Sequence, residues 1–274
     1  MLLHSQKLGH GPGLVLLHGM GGTGALWRPL AVDLERDFTV YALDQRGHGA
    51  SRPANDGRGF SPLDFGQDVI DTLDAQGAEP VWLIGHSMGV RTAAAAAFLR
   101  PELVSGLILI DLGLSGAAGG GLGDRLEQFL RILPESFPSR AEARQYLERE
   151  SPDRAIGLYL LAVASLGLKP GSTDPVRFPF DREALLETIH QARASRIGDY
   201  VEAFSKTGRP IHLLRGATSS VWSAQDYDAE RVRFSGNPNV VFTTFPGTGH
   251  GLPFEKRPEF LAYVRDALGV ARSG

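Results

Sequence analysis

The sequence predicts an α/β fold: a mostly parallel sheet with helices on both faces, interrupted by an inserted helical cap. Three observations carry that expectation. Short, near-continuous apolar runs alternate with stretches of helical apolar spacing, as in strands buried on both faces. The alternation stops over residues 115–208, where helical patterns follow one another without a convincing strand. The chain has 274 residues, 42% hydrophobic and 22% charged, which allows a sizeable core and argues against global disorder.

GLVLLHG (13–19) reads as a buried strand ending in a glycine-rich loop. ALWRPLAVDLERD (25–37) has helical spacing, and TVYALDQRG (39–47) is a second strand closing on an Asp-Gln-Arg-Gly turn. SPLDFGQDVIDTLDAQG (61–77) carries Ser61 as N-cap, Asp64 at the capping-box position and Gly77 as its stop. PVWLIGHS (80–87) is a strand, followed by the alanine-rich helix MGVRTAAAAAFLRP (88–101) and the strand GLILIDLG (106–113). After the interruption come the strand IHLLRG (211–216), a helix over 224–235, the strand VVFTTFP (240–246) and a last helix, EFLAYVRDALG (259–269).

The interruption opens on a hinge-like run, SGAAGGGLG (115–123). Helical patterns then cover 124–133, 140–150, 154–167 and 181–206. An ordinary crossover needs only about a dozen residues. The segment 115–208 is therefore expected to be a cap domain over a core formed by 1–114 and 209–274.

Composition removes several function classes. The net charge of −3 gives no electrostatic reason to expect nucleic acid or an anionic membrane as partner. Cysteine is absent, which excludes disulfides, thiolate catalysis and Cys-ligated metals. The longest apolar runs, LVLL (14–17) and LILI (107–110), are too short to span a bilayer. The stretch MLLHSQKLGHGPG lacks the plan of a secretory signal, so a cytoplasmic location is the expectation.

Gly85-His86-Ser87-Met88-Gly89 matches G-x-S-x-G between a strand and a helix. On such a tight turn Ser87 is lifted above the sheet edge, and the Met88 N–H at the helix start can stabilise an oxyanion. The motif alone also occurs as a structural turn. His18-Gly19-Met20-Gly21-Gly22 follows the first of these strands, and its Met20 N–H can face the same oxyanion. A plain glycine turn is the alternative; neither phosphate-cradle motif is present. His250, between Gly249 and Gly251 after the last strand, is the expected general base. His18, His48 and His86 read as loop-holding residues, while His190 and His212 belong to a helix and a strand.

HGMGG, ALDQRGHGASRP, IGHSMG and GTGHG, in that order, resemble the α/β-hydrolase fold superfamily, in particular its esterase and carbon–carbon-bond hydrolase branch. The motif-bearing parts cover about 1–113 and 209–274, and they specify the fold better than the substrate. The resemblance implies a sheet of the eight-stranded type, Ser87 as nucleophile, His250 as base, and Met20 and Met88 N–H groups as oxyanion hole. An epoxide hydrolase or dehalogenase of this fold would need an aspartate where Ser87 stands.

The acid of the triad is harder to place. The resemblance puts it a few residues past Gly216, yet RGATSSVWS (215–223) has no carboxylate there, only Ser219 and Ser220. Asp111 ends the strand expected beside the Ser87 strand, and some members of the family carry the acid at that position. Asp226 and Asp228 lie further on, with Asp226 also readable as a helix-start acid after Ser223. Asp111 is favoured, the Asp226 region comes next, and no acid at all comes last.

The remaining residues have plainer readings. Asp44 and Arg46 brace a loop, Trp27 and Trp222 are packing residues, and Phe178 and Phe180 are placed to touch a substrate. The expected activity is cleavage of small-molecule carboxylic esters through an acyl-serine, with neither metal nor organic cofactor. Cleavage of a carbon–carbon bond, lactone or amide is the alternative within enzymes, and a ligand-binding or signalling protein the alternative outside them. The oligomeric state is left open.

Overall fold

The computed structural model describes residues 1–115, 121–166 and 174–270. The first half alternates as β1 (Ser5–Leu8), β2 (Gly13–Leu17), α1 (Arg28–Leu34), β3 (Thr39–Leu43), α2 (Pro62–Ala75), β4 (Val81–His86), α3 (Met88–Leu99) and β5 (Val104–Ile110). The insertion holds α4 (Leu122–Ile132), β6 (Ser136–Phe137), α5 (Arg140–Glu150), α6 (Arg154–Ala164), β7 (Val176–Arg177), α7 (Arg182–Arg193) and α8 (Ile197–Ser205). The chain returns through β8 (Ile211–Gly216), α9 (Ala224–Arg233), β9 (Val240–Phe245), α10 (Leu252–Glu255) and α11 (Arg257–Ala267).

Among the described residues the main sheet has seven strands, ordered β1-β3-β2-β4-β5-β8-β9, one fewer than the eight-stranded type. β1 runs antiparallel to β3, and every other pairing is parallel. The apolar pattern does not reveal β1, because SQKL is a short, half-polar edge strand.

The strand order places the site. From β2 the chain moves out to β3, then passes back over β2 to reach β4. Sheets of this kind hold their ligands beyond the carboxyl ends of the strands at such a reversal. Leu17 pairs with Gly85, so the loops after β2 and β4 meet there. One strand further, His86 pairs with Ile110, and Ser87 N donates to Ile110 O at 2.9 Å. Ser87 and Asp111 thus leave the sheet side by side.

Strand residues alternate between two apolar cores, as the period of two requires. Val15, Leu17 and Leu83 face α2, α3 and α8, while Leu14, Leu16 and Ile84 face α1 and α11. A third cluster forms inside the insertion around Phe129, Phe137, Leu147, Leu160, Phe178 and Leu185. β5 and β8 are neighbours, so the insertion leaves and re-enters the sheet on adjacent strands. Its last helix, α8, packs Ile197, Val201 and Phe204 into the first core.

Residues 181–206, expected as one helix, form two, α7 and α8. The Ser195 hydroxyl donates to Ala192 O at 2.7 Å, a local bond that competes with helix continuation. β6 and β7 pair over two residues each, and His48 bridges to Phe180, pairings absent from the reading of 115–208. Two residues are too few to show a strand period. Residues 116–120 of the hinge-like run and residue 167 lie outside the described residues.

Candidate active site

Ser87 stands between β4 and α3 with φ 53° and ψ −119°. Among the described residues only Ser87 and Asp111, at φ 55°, are non-glycine residues with positive φ. Such backbone costs energy and gathers where geometry serves function. A Cβ on Gly85 would lie 2.2 Å from Gly89 O, and one on Gly89 2.3 Å from Leu17 O. Both motif glycines are therefore required for the bend to close. It leaves Ser87 half-buried at the N-terminal end of α3, where Met88 opens the helix.

Histidines hold the neighbouring loops without carrying charge. His18 Nδ1 donates to Gly19 O at 2.8 Å, and its Nε2 accepts from Gln45 N at 3.0 Å. Burial lowers the His18 pKa to about 4. His48 Nδ1 donates to Arg46 O at 2.8 Å and Nε2 accepts from Gly21 N at 3.1 Å. Burial, reinforced by His18, lowers the His48 pKa to about 3. Asp44 accepts from Gly24 N at 2.7 Å and Ala50 N at 2.8 Å, and Arg46 donates to Asp68 at 2.7 Å and Asp56 at 2.8 Å. These residues brace the loops beneath the site.

His250 is pinned at its backbone. Glu255 accepts from Gly249 N at 2.7 Å and from Gly251 N at 3.1 Å, so one carboxylate grips both sides of the histidine. His86 Nε2 donates to His250 O at 2.7 Å. Burial, with His250 next, lowers the His86 pKa to about 3. The imidazole Nδ1 of His250 donates to Asp111 Oδ2 at 2.8 Å, which leaves its Nε2 as the free acceptor.

The RGATSSVWS loop cradles that carboxylate instead of supplying one. Gly216 N donates to Asp111 Oδ1 at 2.9 Å, and the Ser219 hydroxyl donates to Asp111 Oδ2. Ser219 in turn accepts from Val221 N at 3.2 Å. Asp111 is fully buried with all its described partners donating. Asp226 is otherwise engaged: it accepts from the Ser223 hydroxyl at 2.6 Å at the start of α9. Asp228 is exposed on the same helix and pairs with Arg231 at 3.7 Å.

Ser87, Met88, Gly19, Met20 and His250 line one cavity of about 140 Å³. Its far walls are mainly aliphatic and aromatic, from Leu112, Leu126, Phe129, Leu160, Ile189 and Val221. Arg91, one turn along α3 from Ser87, also lines it and donates to Ser195 Oγ at 3.0 Å. Burial lowers its pKa to about 10, so it stays charged. Phe178 and Phe180, expected at a substrate, stack on each other at 5.4 Å within the insertion's own core. Trp27 and Trp222 are buried packing residues. No group of three or more His, Asp or Glu side chains among the described residues could hold a metal, and no described helix is long and apolar enough to cross a membrane.

Sequence reasoning placed Ser219 beside the site but not its bond to Asp111, and it missed Glu255 and Tyr159, which touch the site only through the fold. The Tyr159 hydroxyl, from α6, donates to Gly19 O at 3.1 Å. A serine at a strained bend, an imidazole on a buried carboxylate and an adjacent helix N-terminus are the parts needed for nucleophilic acyl transfer.

Comparison with known proteins agrees with this architecture. A 2-(acetamidomethylene)succinate hydrolase of Mesorhizobium japonicum is 27% identical over 252 residues, covering 90% of this chain and 84% of that one. The sn-1-specific diacylglycerol lipase ABHD11 of Mus musculus is 26% identical over 263 residues, covering 94% and 81%. The crystal structure of an E-2-(acetamidomethylene)succinate hydrolase superposes with a TM-score of 0.80 at 25% identity, covering 97% of this chain and 95% of that one. The model of the alpha/beta hydrolase family matches residues 14–262, and the chain belongs to that family.

Proposed function

We propose that this hydrolase cleaves carboxylic esters through an acyl-serine, with Ser87 as nucleophile, His250 as base and Asp111 as acid. The observation that carries the reading is a convergence. Strained Ser87 and carboxylate-bound His250 line one cavity, although they lie far apart in sequence. In this reading His250 Nε2 takes the Ser87 proton as the hydroxyl attacks the carbonyl carbon. Met20 and Met88 N–H groups receive the oxyanion. His250 passes the proton to the departing alcohol, then activates the water that releases the acid. Asp111 stabilises the imidazolium in both halves. Residues 115–208 act as the cap that closes the cavity over core residues 1–114 and 209–274. The largely apolar far walls favour an ester with an apolar acyl chain.

The test is covalent labelling with a fluorophosphonate, run beside a panel of p-nitrophenyl esters, a vinylogous diketone, lactones and amides. Rapid labelling that Ser87→Ala abolishes, with the esters turned over fastest, is the expected result. No labelling sinks the nucleophile, and faster turnover of the diketone or an amide sinks the ester assignment.

A further inference from the structure

Three donors converge on the carbonyl oxygen of Gly19: Gly22 N at 3.0 Å, His18 Nδ1 at 2.8 Å and the Tyr159 hydroxyl at 3.1 Å. A carbonyl oxygen has two lone pairs, so the third donor goes beyond satisfying it. What three donors from different directions do is fix where the carbonyl points. Two of them come from the loop itself. The third arrives from α6 of the insertion, 140 residues along the chain.

That direction matters because of the peptide's other end. Arg52–Pro53 is the only cis bond among the described residues, so the Gly19–Met20 peptide is trans. A trans peptide points its carbonyl and its N–H in opposite directions. Met20 N–H has no hydrogen-bond partner among the described residues. Gly19 itself lies against Ser87, since an added Cβ would stand 3.2 Å from the Ser87 Cβ. With the carbonyl held by its three donors, the Met20 N–H at the peptide's other end is held as well, beside the cavity that Met20 shares with Ser87 and Tyr159.

We propose that Tyr159 is a positioning residue, through which the insertion sets the Met20 N–H donor of the oxyanion hole. The proposal rests on the serine-hydrolase reading above and adds to it a dependence of the hole on the insertion. The loop is built around this hydroxyl: a Cβ on Gly22 would stand 2.1 Å from it. Burial raises the Tyr159 pKa above its ordinary value, so the hydroxyl remains a donor at neutral pH. Movement of α6 away from the core would release the carbonyl and loosen the hole, which ties full activity to a closed insertion.

The test compares wild type, Tyr159→Phe and Gly22→Ala on a p-nitrophenyl ester and in the rate of fluorophosphonate labelling. Tyr159→Phe keeps the ring and removes only the donor. It is expected to lower kcat about tenfold, the effect of one neutral hydrogen bond, with KM within about twofold. The labelling rate should fall by a similar factor, because the phosphonyl oxygen uses the same N–H. Gly22→Ala, whose Cβ would stand 2.1 Å from the hydroxyl, 2.9 Å from Gly19 O and 3.1 Å from His18 Nδ1, disturbs the same bond from the loop side, should give the same split and serves if Tyr159→Phe does not fold. Unchanged kcat in a folded variant, or a loss seen only in KM, overturns the proposal. Wild-type protein that neither labels nor turns over would instead remove the hydrolase reading, and this proposal with it.

Discussion

The hydroxyl of Ser219 donates to Asp111 Oδ2, the same oxygen that receives the His250 Nδ1–H. A serine thus stands beside the carboxylate instead of replacing it. It holds the carboxylate in orientation without contributing charge of its own. Asp111→Asn is expected to lower kcat by about 10²- to 10⁴-fold with the fold intact, as when a triad acid loses its charge. Ser219→Ala removes one donor and should cost about tenfold or less. Because both side chains reach one point, Asp111→Asn combined with Ser219→Asp should recover part of the lost rate. Steady-state kinetics on one ester decide it. Near-wild-type turnover by Asp111→Asn, with collapse in Asp226→Asn, would move the acid to α9.

Glu255 gives a second prediction, because its carboxylate alone joins Gly249 N and Gly251 N across His250. Charged acceptors on backbone N–H groups are stronger than neutral ones, though solvent weakens an exposed pair. Glu255→Ala should free the histidine loop and lower kcat roughly three- to thirtyfold, with a small change in Tm. Glu255→Gln keeps one acceptor oxygen and should fall between the two. A Tm collapse without a kinetic effect on the surviving folded enzyme would show the clamp to be purely structural.

Stability should peak near neutral pH, between two limbs with different owners. His18, His48 and His86 are held neutral with pKa values of about 4, 3 and 3, against an ordinary 6.5. Below pH 6.5 the unfolded chain binds protons that the folded chain refuses. The stability these groups give is therefore complete above that pH and drains away as pH falls toward 4. Glu230 has the opposite sign. Its buried carboxyl accepts from Leu114 N at 2.6 Å, and burial raises its pKa from 4.5 to about 7. Between those values the folded chain holds a proton that the unfolded chain has released, so stability falls as pH rises. Glu230→Gln removes this limb and should raise Tm more at pH 8 than at pH 5. The gain is at most about 3.5 kcal/mol, at roughly 1.4 kcal/mol per pKa unit. Equal shifts at the two pH values would clear Glu230.

What the sequence made legible follows from how far each signal reaches. Apolar period and turn glycines are local, so the parallel core, the bend at Ser87 and the loop of His250 could be read from short stretches. Asp111 could be weighed only because strand adjacency is a general rule, and its partners Ser219 and Gly216 sit more than a hundred residues away. Tyr159 sits in an ordinary apolar helix pattern, and Glu255 ends the short helix α10; nothing local marks either as touching the site. The break before α8 was hidden because Ala194, Ser195 and Arg196 continue a helical pattern that a single serine hydroxyl and the packing of α8 on α3 override. Phe178 and Phe180 failed the other way, since position within an insertion says nothing about which face a side chain presents.

The walls of the cavity lead to a prediction about chain length. Leu126, Phe129, Leu160, Ile189 and Val221 offer an acyl chain apolar contact, and each buried methylene is worth about 0.8 kcal/mol. Full transfer of that energy to the transition state would raise kcat/KM about fourfold per added methylene until the chain fills the space. Incomplete burial lowers the step to about two- to threefold. Leu126→Trp should occupy that space and flatten the series while leaving the acetyl ester nearly unaffected, since the reacting carbonyl sits at Ser87. Arg91 supplies the competing outcome, because its charged guanidinium lines the same cavity one helical turn from Ser87. A half-ester ending in a carboxylate tests it directly: burying that anion in an apolar pocket is costly unless the guanidinium receives it. If the half-ester outruns the apolar ester of equal length, and Arg91→Met reverses the order, the apolar-chain assignment is wrong and Arg91 is the specificity residue.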